Sequence, residues 1–137
     1  ICGDRPFLDP ILYEELILIH KENKNDLTTN IFPRTVPPGL SGEIINVQAL
    51  KEIAQKTTDK KDKEHITNYF YANNHNYRIQ NVNQSNIGLP IEYNLTLDDN
   101  NDLQKIIWIQ EKINPQEGFN LKEIMSLNMK WIKNKHK

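Results

Sequence analysis

The stretch Asp9-Pro10-Ile11-Leu12-Tyr13-Glu14-Glu15-Leu16-Ile17-Leu18-Ile19, with Asp26 to Phe32 after it, decides the class of fold. Asp9 is a natural N-cap, and Pro10 suits the first helical position because the N–H it lacks would have no partner there. Ile11, Leu12, Leu16 and Ile19 then recur at helical spacing, which predicts a helix from about Pro10 to Glu22 and a short strand over Asp26 to Phe32. Downstream, Pro33-Arg34-Thr35-Val36-Pro37-Pro38-Gly39 forbids regular structure and reads as a stiff loop. Glu43 to Val47 is β-branched, and Asn46 is placed to cap a helix carrying Leu50, Ile53 and Ala54 on one side.

The same alternation continues toward the C-terminus. Thr57 to Glu64 reads as a charged, solvated linker, and His65 to Ala72 resumes a helical pattern through Ile66, Tyr69 and Phe70. Tyr77 to Val82 looks extended. Ile91, Tyr93, Leu95 and Leu97 alternate with Glu92, Asn94 and Thr96, the pattern of a half-buried strand. Asp99, with Asp102 three residues on, is placed to cap a helix burying Leu103, Ile106, Ile107 and Ile113. Asn120 with Glu123 repeats that logic before Leu121, Ile124, Met125 and Ile132, and Lys133 to Lys137 puts positive charge at the negative end of the helix dipole. The class is α/β, with more helix than the visible strands can cover, so further strands are expected upstream of Ile1, where Ile1-Cys2-Gly3 reads as the tail of one.

Composition narrows the functional classes. Of 137 residues only 37% are apolar, and the 17 basic side chains are scattered among 18 acidic ones for a net charge of -1. That distribution forms no basic stripe and argues against nucleic acid as a partner. No apolar run is long enough to cross a bilayer, and Cys2, the single cysteine, has no internal partner, so a reducing cytoplasm is the expected setting and no membrane role is expected. Cys2 itself reads as a small buried residue and Tyr69 as packing.

Two carboxylates follow expected strands directly: Asp4 after Ile1-Cys2-Gly3, and Asp98 after Ile91 to Leu97. Ligands of open α/β sheets bind beyond the carboxyl ends of strands, and if the two strands are parallel neighbours the aspartates converge. Paired carboxylates suit Mg²⁺, which completes its shell with water and phosphate oxygens. The plainer alternatives are a turn residue at Asp4 and an extra helix cap at Asp98.

Four blocks in register carry a family resemblance: Gly3-Asp4-Arg5-Pro6-Phe7-Leu8-Asp9-Pro10; Pro33-Arg34-Thr35 with Pro38-Gly39-Leu40 and Glu43; Glu64-His65-Ile66-Thr67 with Tyr69; and Leu97-Asp98 with Asp102-Leu103. Together they resemble the cytidylyltransferases of the spore-coat polysaccharide type, related to the acylneuraminate and 3-deoxy-manno-octulosonate cytidylyltransferases. The resemblance implies that residues 1–137 are the C-terminal portion of a single cytidylyltransferase-like domain: a partial Rossmann-like, three-layer sheet of the nucleotide-diphospho-sugar transferase kind, with its N-terminal strands and nucleotide loop lying outside this sequence. It implies transfer of CMP from CTP to a sugar or sugar acid, with release of pyrophosphate. Asp4 and Asp98 would act as the catalytic, Mg²⁺-binding carboxylates, and Arg34, Glu43 and His65 would bind the sugar; a homodimer is also compatible with it. A non-catalytic sugar- or protein-binding domain on the same fold is the competing expectation. This sequence departs from the family pattern at Arg5, where a small or polar residue is usual, at Ser41-Gly42 in place of Asp-Val, and at Asn68 and Asn100 in place of prolines.

Overall fold

The helix that starts after Asp9 is α1, Pro10–Asn23, in a computed structural model that describes residues 3–113 and 120–135. Leu12 and Leu16 are its buried residues and Ile11 is 73% exposed, so the inward stripe is narrower than the apolar pattern implied. The helix stops at Lys24, which takes a left-handed conformation, and the Asn25 N–H reaches back 3.4 Å to the His20 carbonyl, satisfying a terminal acceptor. Three short strands follow: β1 (Leu27–Thr29), β2 (Glu43–Ile45) and β3 (Ile79–Asn81), in the sheet order β2-β1-β3. Leu27 faces Ile45 across an antiparallel pair and Ile79 across a parallel one, which makes β1 central and buries all three of its residues.

Asn46 caps α2 (Val47–Lys56), its side chain accepting from the Gln48 and Ala49 N–H groups. Ala49 and Ile53 turn inward while Ala54 is exposed, so the buried face is displaced from the expected one. With Leu27 and Phe70 these two residues form the core of the sheet, where a Leu-to-Ala truncation costs about 2–5 kcal/mol. The expected linker from Thr57 to Glu64 is not wholly irregular: it contains the short α3 (Lys60–Glu64), because Asp59 accepts from the Lys61 N–H and the Asp62 carboxylate takes the Thr57 hydroxyl at 2.8 Å. α4 (Ile66–Ala72) buries Phe70. These elements belong to one compact unit, Ile11–Thr35 with Gly42–Gln84, here called the sheet unit.

The second, helical unit comprises Ile1–Pro10, Val36–Ser41 and Ser85–Lys137. Asp99 caps α5 (Asn100–Gln110) by accepting from the Asp102 N–H at 2.8 Å, and Asn120 caps α6 (Leu121–Lys135) through the Lys122 and Glu123 N–H groups. Leu40, Leu95, Ile109 and Ile124 are almost completely buried in this unit. On α5 it is Ile106 and Ile109 that turn inward; Leu103 and Ile107 are 42% and 46% exposed, and Ile113 lies beyond the helix end.

Two strand expectations need correction. Ile1 and Cys2 lie outside the described residues, and Gly3-Asp4 is a turn. Ile91 to Leu97 is not a strand, although Leu95 is fully buried as the alternation implied. Asn94 explains why: its side-chain oxygen accepts from both the Thr96 N–H and the Thr96 hydroxyl at 2.7 Å, a local turn that competes with a ladder. The backbone bonds of the segment go to different places, Leu95 N–H to the Pro38 carbonyl and Leu97 N–H to the Asp4 carbonyl, each at 2.9 Å.

Candidate functional site

That last bond matters for chemistry, since it ties Asp4 to the residue immediately before Asp98. Convergence of the two carboxylate-bearing segments is thus achieved by one backbone contact between loops and not by neighbouring strands. The Asp4 Oδ1 atom is buried and has no hydrogen-bond partner among the described residues. Arg5 Nε stands 4.0 Å from it, within ion-pair range but beyond a hydrogen bond. Asp98 is exposed, accepts the Thr96 hydroxyl, and donates its N–H to the Asp102 carboxylate at 3.2 Å. An unsatisfied carboxylate oxygen on a loop bonded to the residue before a second, accessible carboxylate is donor chemistry for a hard cation that brings its own water and phosphate ligands. No cluster of three or more His, Cys, Asp or Glu side chains suited to a metal occurs among the described residues.

Just beneath lies a feature the sequence reading used only as a cap partner. Asp102 Oδ1 pairs with Lys105 Nζ at 2.7 Å, both side chains largely buried, and the same ammonium donates to the Asn94 carbonyl at 3.1 Å. Burial alone would raise the Asp102 pKa; the Lys105 hydrogen bond and charge and the Asp98 N–H outweigh it and hold the carboxyl below its ordinary range. Asp102 is thereby kept ionised and fixes the backbone of Asp98. The signal was present in the sequence as an Asp and a Lys three apart on one helix.

The sheet unit assembles a different set. Tyr71, on α4, donates its hydroxyl to Glu43 at the start of β2, and the same phenol lies 3.2 Å from Thr29 Oγ1 on β1. Phe32 stacks on the Tyr71 ring at 4.6 Å between centroids, held by its N–H to Asn81 Oδ1 at 2.9 Å. Burial first, then the hydrogen bond to Glu43, raises the Tyr71 pKa well above the usual phenol, against a smaller pull from Thr29 and from the charge of Arg34. Arg34 is exposed, and its backbone bridges to Ile31. Glu43 is therefore held by the phenol, and Arg34 acts on that phenol only through its charge. His65 is not part of this contact set: it is exposed at the bend between α3 and α4, and its side chain makes no capping bond. Tyr71 was missed in the sequence, where an aromatic residue beside Phe70 looks like core.

A three-stranded mixed sheet with its helices can now be set against known structures. The solved structure of a cytidylyltransferase from Leptospira borgpetersenii superposes with a TM-score of 0.75 at 21% identity, over 98% of this chain and 55% of that one. The fold is that of a cytidylyltransferase. A curated relative, the spore coat polysaccharide biosynthesis protein SpsF of Bacillus subtilis, is 27% identical over 128 residues, 93% of this chain and 52% of that protein, with the match in its C-terminal part. The chain spans about half the length of both. No family model matches it. The α/β class and the resemblance carried by the four sequence blocks are both borne out.

Within this cytidylyltransferase-like frame two departures from the family pattern touch each other: the Arg5 guanidinium donates to the Ser41 carbonyl. Arg5 thus secures the Val36–Ser41 segment to the loop bearing Asp4, inside the helical unit. Gly42 has its own reason. A Cβ there would lie 2.2 Å from Leu16 Cδ1, so the valine of the family pattern does not fit against this α1.

Proposed function

We propose that this chain contributes the acceptor and metal side of a cytoplasmic cytidylyltransferase, which moves CMP from CTP onto a sugar or sugar acid. In that reaction a sugar hydroxyl attacks the α-phosphorus of CTP, the new O–P bond forms, and the bond to pyrophosphate breaks. The observation that carries the reading is the buried, unpartnered Asp4 Oδ1, on a loop tied to Leu97 beside Asp98. Bound there, Mg²⁺ would neutralise triphosphate charge as it shifts toward the leaving pyrophosphate. Asp4 and Asp98 would hold it, Asp102 and Lys105 keep the Asp98 backbone in place, and Arg34 and Glu43 would orient the acceptor, Glu43 being held in turn by Tyr71. His65 adds a hydrogen-bond donor toward an anionic group on the sugar.

Manganese, as a paramagnetic stand-in for Mg²⁺, tests the carboxylate pair without any need for turnover. Titration of Mn²⁺ into the chain, followed by electron paramagnetic resonance, should show one site that is lost in Asp4→Asn and weakened in Asp98→Asn. In a protein with the full length of the relatives, Asp98→Asn should lower kcat by at least about a hundredfold with little change in stability, since capping is left to Asp99. One observation favours a second reading, a sugar- or protein-binding domain without catalysis: Arg5 already places a cation 4.0 Å from Asp4. Absence of Mn²⁺ binding in the native chain, with its appearance in Arg5→Ala, would decide for that reading.

A further inference from the structure

We propose that the cleft between α2 and the Tyr69–Tyr77 pair is a binding site for a neutral saccharide, separate from the residues assigned to transfer. The cleft measures about 680 Å³, within the range of small-molecule sites, and it lies wholly in the sheet unit. None of Asp4, Asp98, Arg34, Glu43 or His65 lines it.

Its walls follow from the helix period. Gln48, Glu52 and Lys56 stand four residues apart on α2, so they share one face and form an exposed polar row about 12 Å long. Across from α2 in the sequence of elements, Tyr69 and Tyr77 meet edge to face with ring centroids 6.3 Å apart, both half-buried and both lining the cleft. Asp26 and Asn46 complete it. Each uses one oxygen locally, Asp26 Oδ2 for the Arg78 N–H and Asn46 Oδ1 for the Gln48 N–H, both at 2.8 Å. The second Asp26 oxygen and the Asn46 amide N–H groups are left for a ligand.

The balance of groups selects the ligand class. One lysine against two carboxylates is the wrong field for a phosphate or a nucleotide, and at the α2 N-terminus that borders the cleft the Asn46 side chain already takes the Gln48 and Ala49 N–H groups. Ala49 is the one aliphatic side chain in the lining, too little apolar surface for an acyl chain. Interleaved acceptors and donors beside ring faces match a molecule whose neighbouring hydroxyls both donate and accept and whose ring carries C–H faces. The Tyr77 phenol is a donor at neutral pH as any phenol is, and burial, with the charges of Tyr69 when ionised, Glu52 and Asp26, pushes its pKa further up. The 3.5 Å contact from Gln48 Nε2 to Glu52 is weak enough for a hydroxyl to replace it.

The inference does not rest on the transferase reading, and one titration separates them. The full ¹⁵N-labelled chain is titrated with glucose and with N-acetylglucosamine, using inorganic phosphate and spermidine as comparators. A sugar should give saturable amide shifts around Asp26 and over residues 46–56 and 69–77, about tenfold weaker in Glu52→Gln, which loses a charge-assisted hydrogen bond at an exposed position. Tyr77→Phe, which keeps the ring packing, should weaken binding as well, whereas Lys130→Ala, at an exposed position outside the lining, should leave it unchanged. Absence of shifts in those segments for both sugars, or stronger binding of phosphate or spermidine there, would overturn the proposal.

Discussion

Gly42 and Gly39 show how differently two glycines of one loop region are constrained. A Cβ on Gly42 would strike the Leu16 side chain, whereas one on Gly39, at φ 98°, would strike Leu95 backbone atoms at 2.7 Å. Side chains yield and backbone does not. Gly42→Ala should therefore cost about 1–3 kcal/mol by overpacking, because Leu16 is fully buried and has little room to turn. In a Leu16→Ala background the added cost should largely vanish, as the methyl fills space that Leu16 gives up. Urea unfolding of the two single variants and the double variant measures this, and strict additivity would show that the two positions do not compete for one volume. The sequence could show that Ser41-Gly42 breaks the family pattern, but the reason sits on α1, 26 positions earlier in the chain.

Among the elements, capping was the most legible feature. Asn46, Asp99 and Asn120 each accept the N–H groups that the sequence assigned to them, because a cap is a contact over two or three residues and needs no tertiary information. The Ile91 to Leu97 alternation failed for the converse reason: a strand needs a distant partner, and Asn94 closed a turn on Thr96 first. The Asp102–Lys105 pair on α5 was visible as spacing, but its burial was not. Its worth can be measured. Lys105→Met strands a carboxylate that is 14% exposed and should cost about 3–5 kcal/mol, while Asp102→Leu with Lys105→Met should cost less than the sum of the two single changes. The folded Asp102 pKa lies below the unfolded value near about 3.9, so its contribution is complete above that pH and is lost as pH falls through the lower folded value. An acid titration of stability should lose that component of its slope in Lys105→Met. An unchanged acid limb would assign it to other carboxylates.

At the scale of the whole molecule, the candidate residues divide between the two compact units: Asp4 and Asp98 in the helical unit, Arg34, Glu43 and His65 in the sheet unit. The order of the sequence blocks put those residues forward as candidates. It did not reveal that Glu43 and Thr29 meet at the Tyr71 phenol, because that contact joins β2, β1 and α4. The division has a kinetic consequence. If the carboxylate pair serves the triphosphate and the sheet-unit residues serve the acceptor, then Arg34→Ala and His65→Ala, made in a protein with the full length of the relatives, should raise the sugar KM more than the CTP KM. Each removes one charge-assisted hydrogen bond, worth about 1.5–3 kcal/mol or roughly ten- to a hundredfold. Both positions are exposed, so the changes should leave the unfolding midpoint nearly constant. Steady-state kinetics with each substrate varied in turn reads the split. Equal effects on both substrates would indicate a general structural role, and an effect confined to CTP would move Arg34 and His65 to the phosphate side of the reaction.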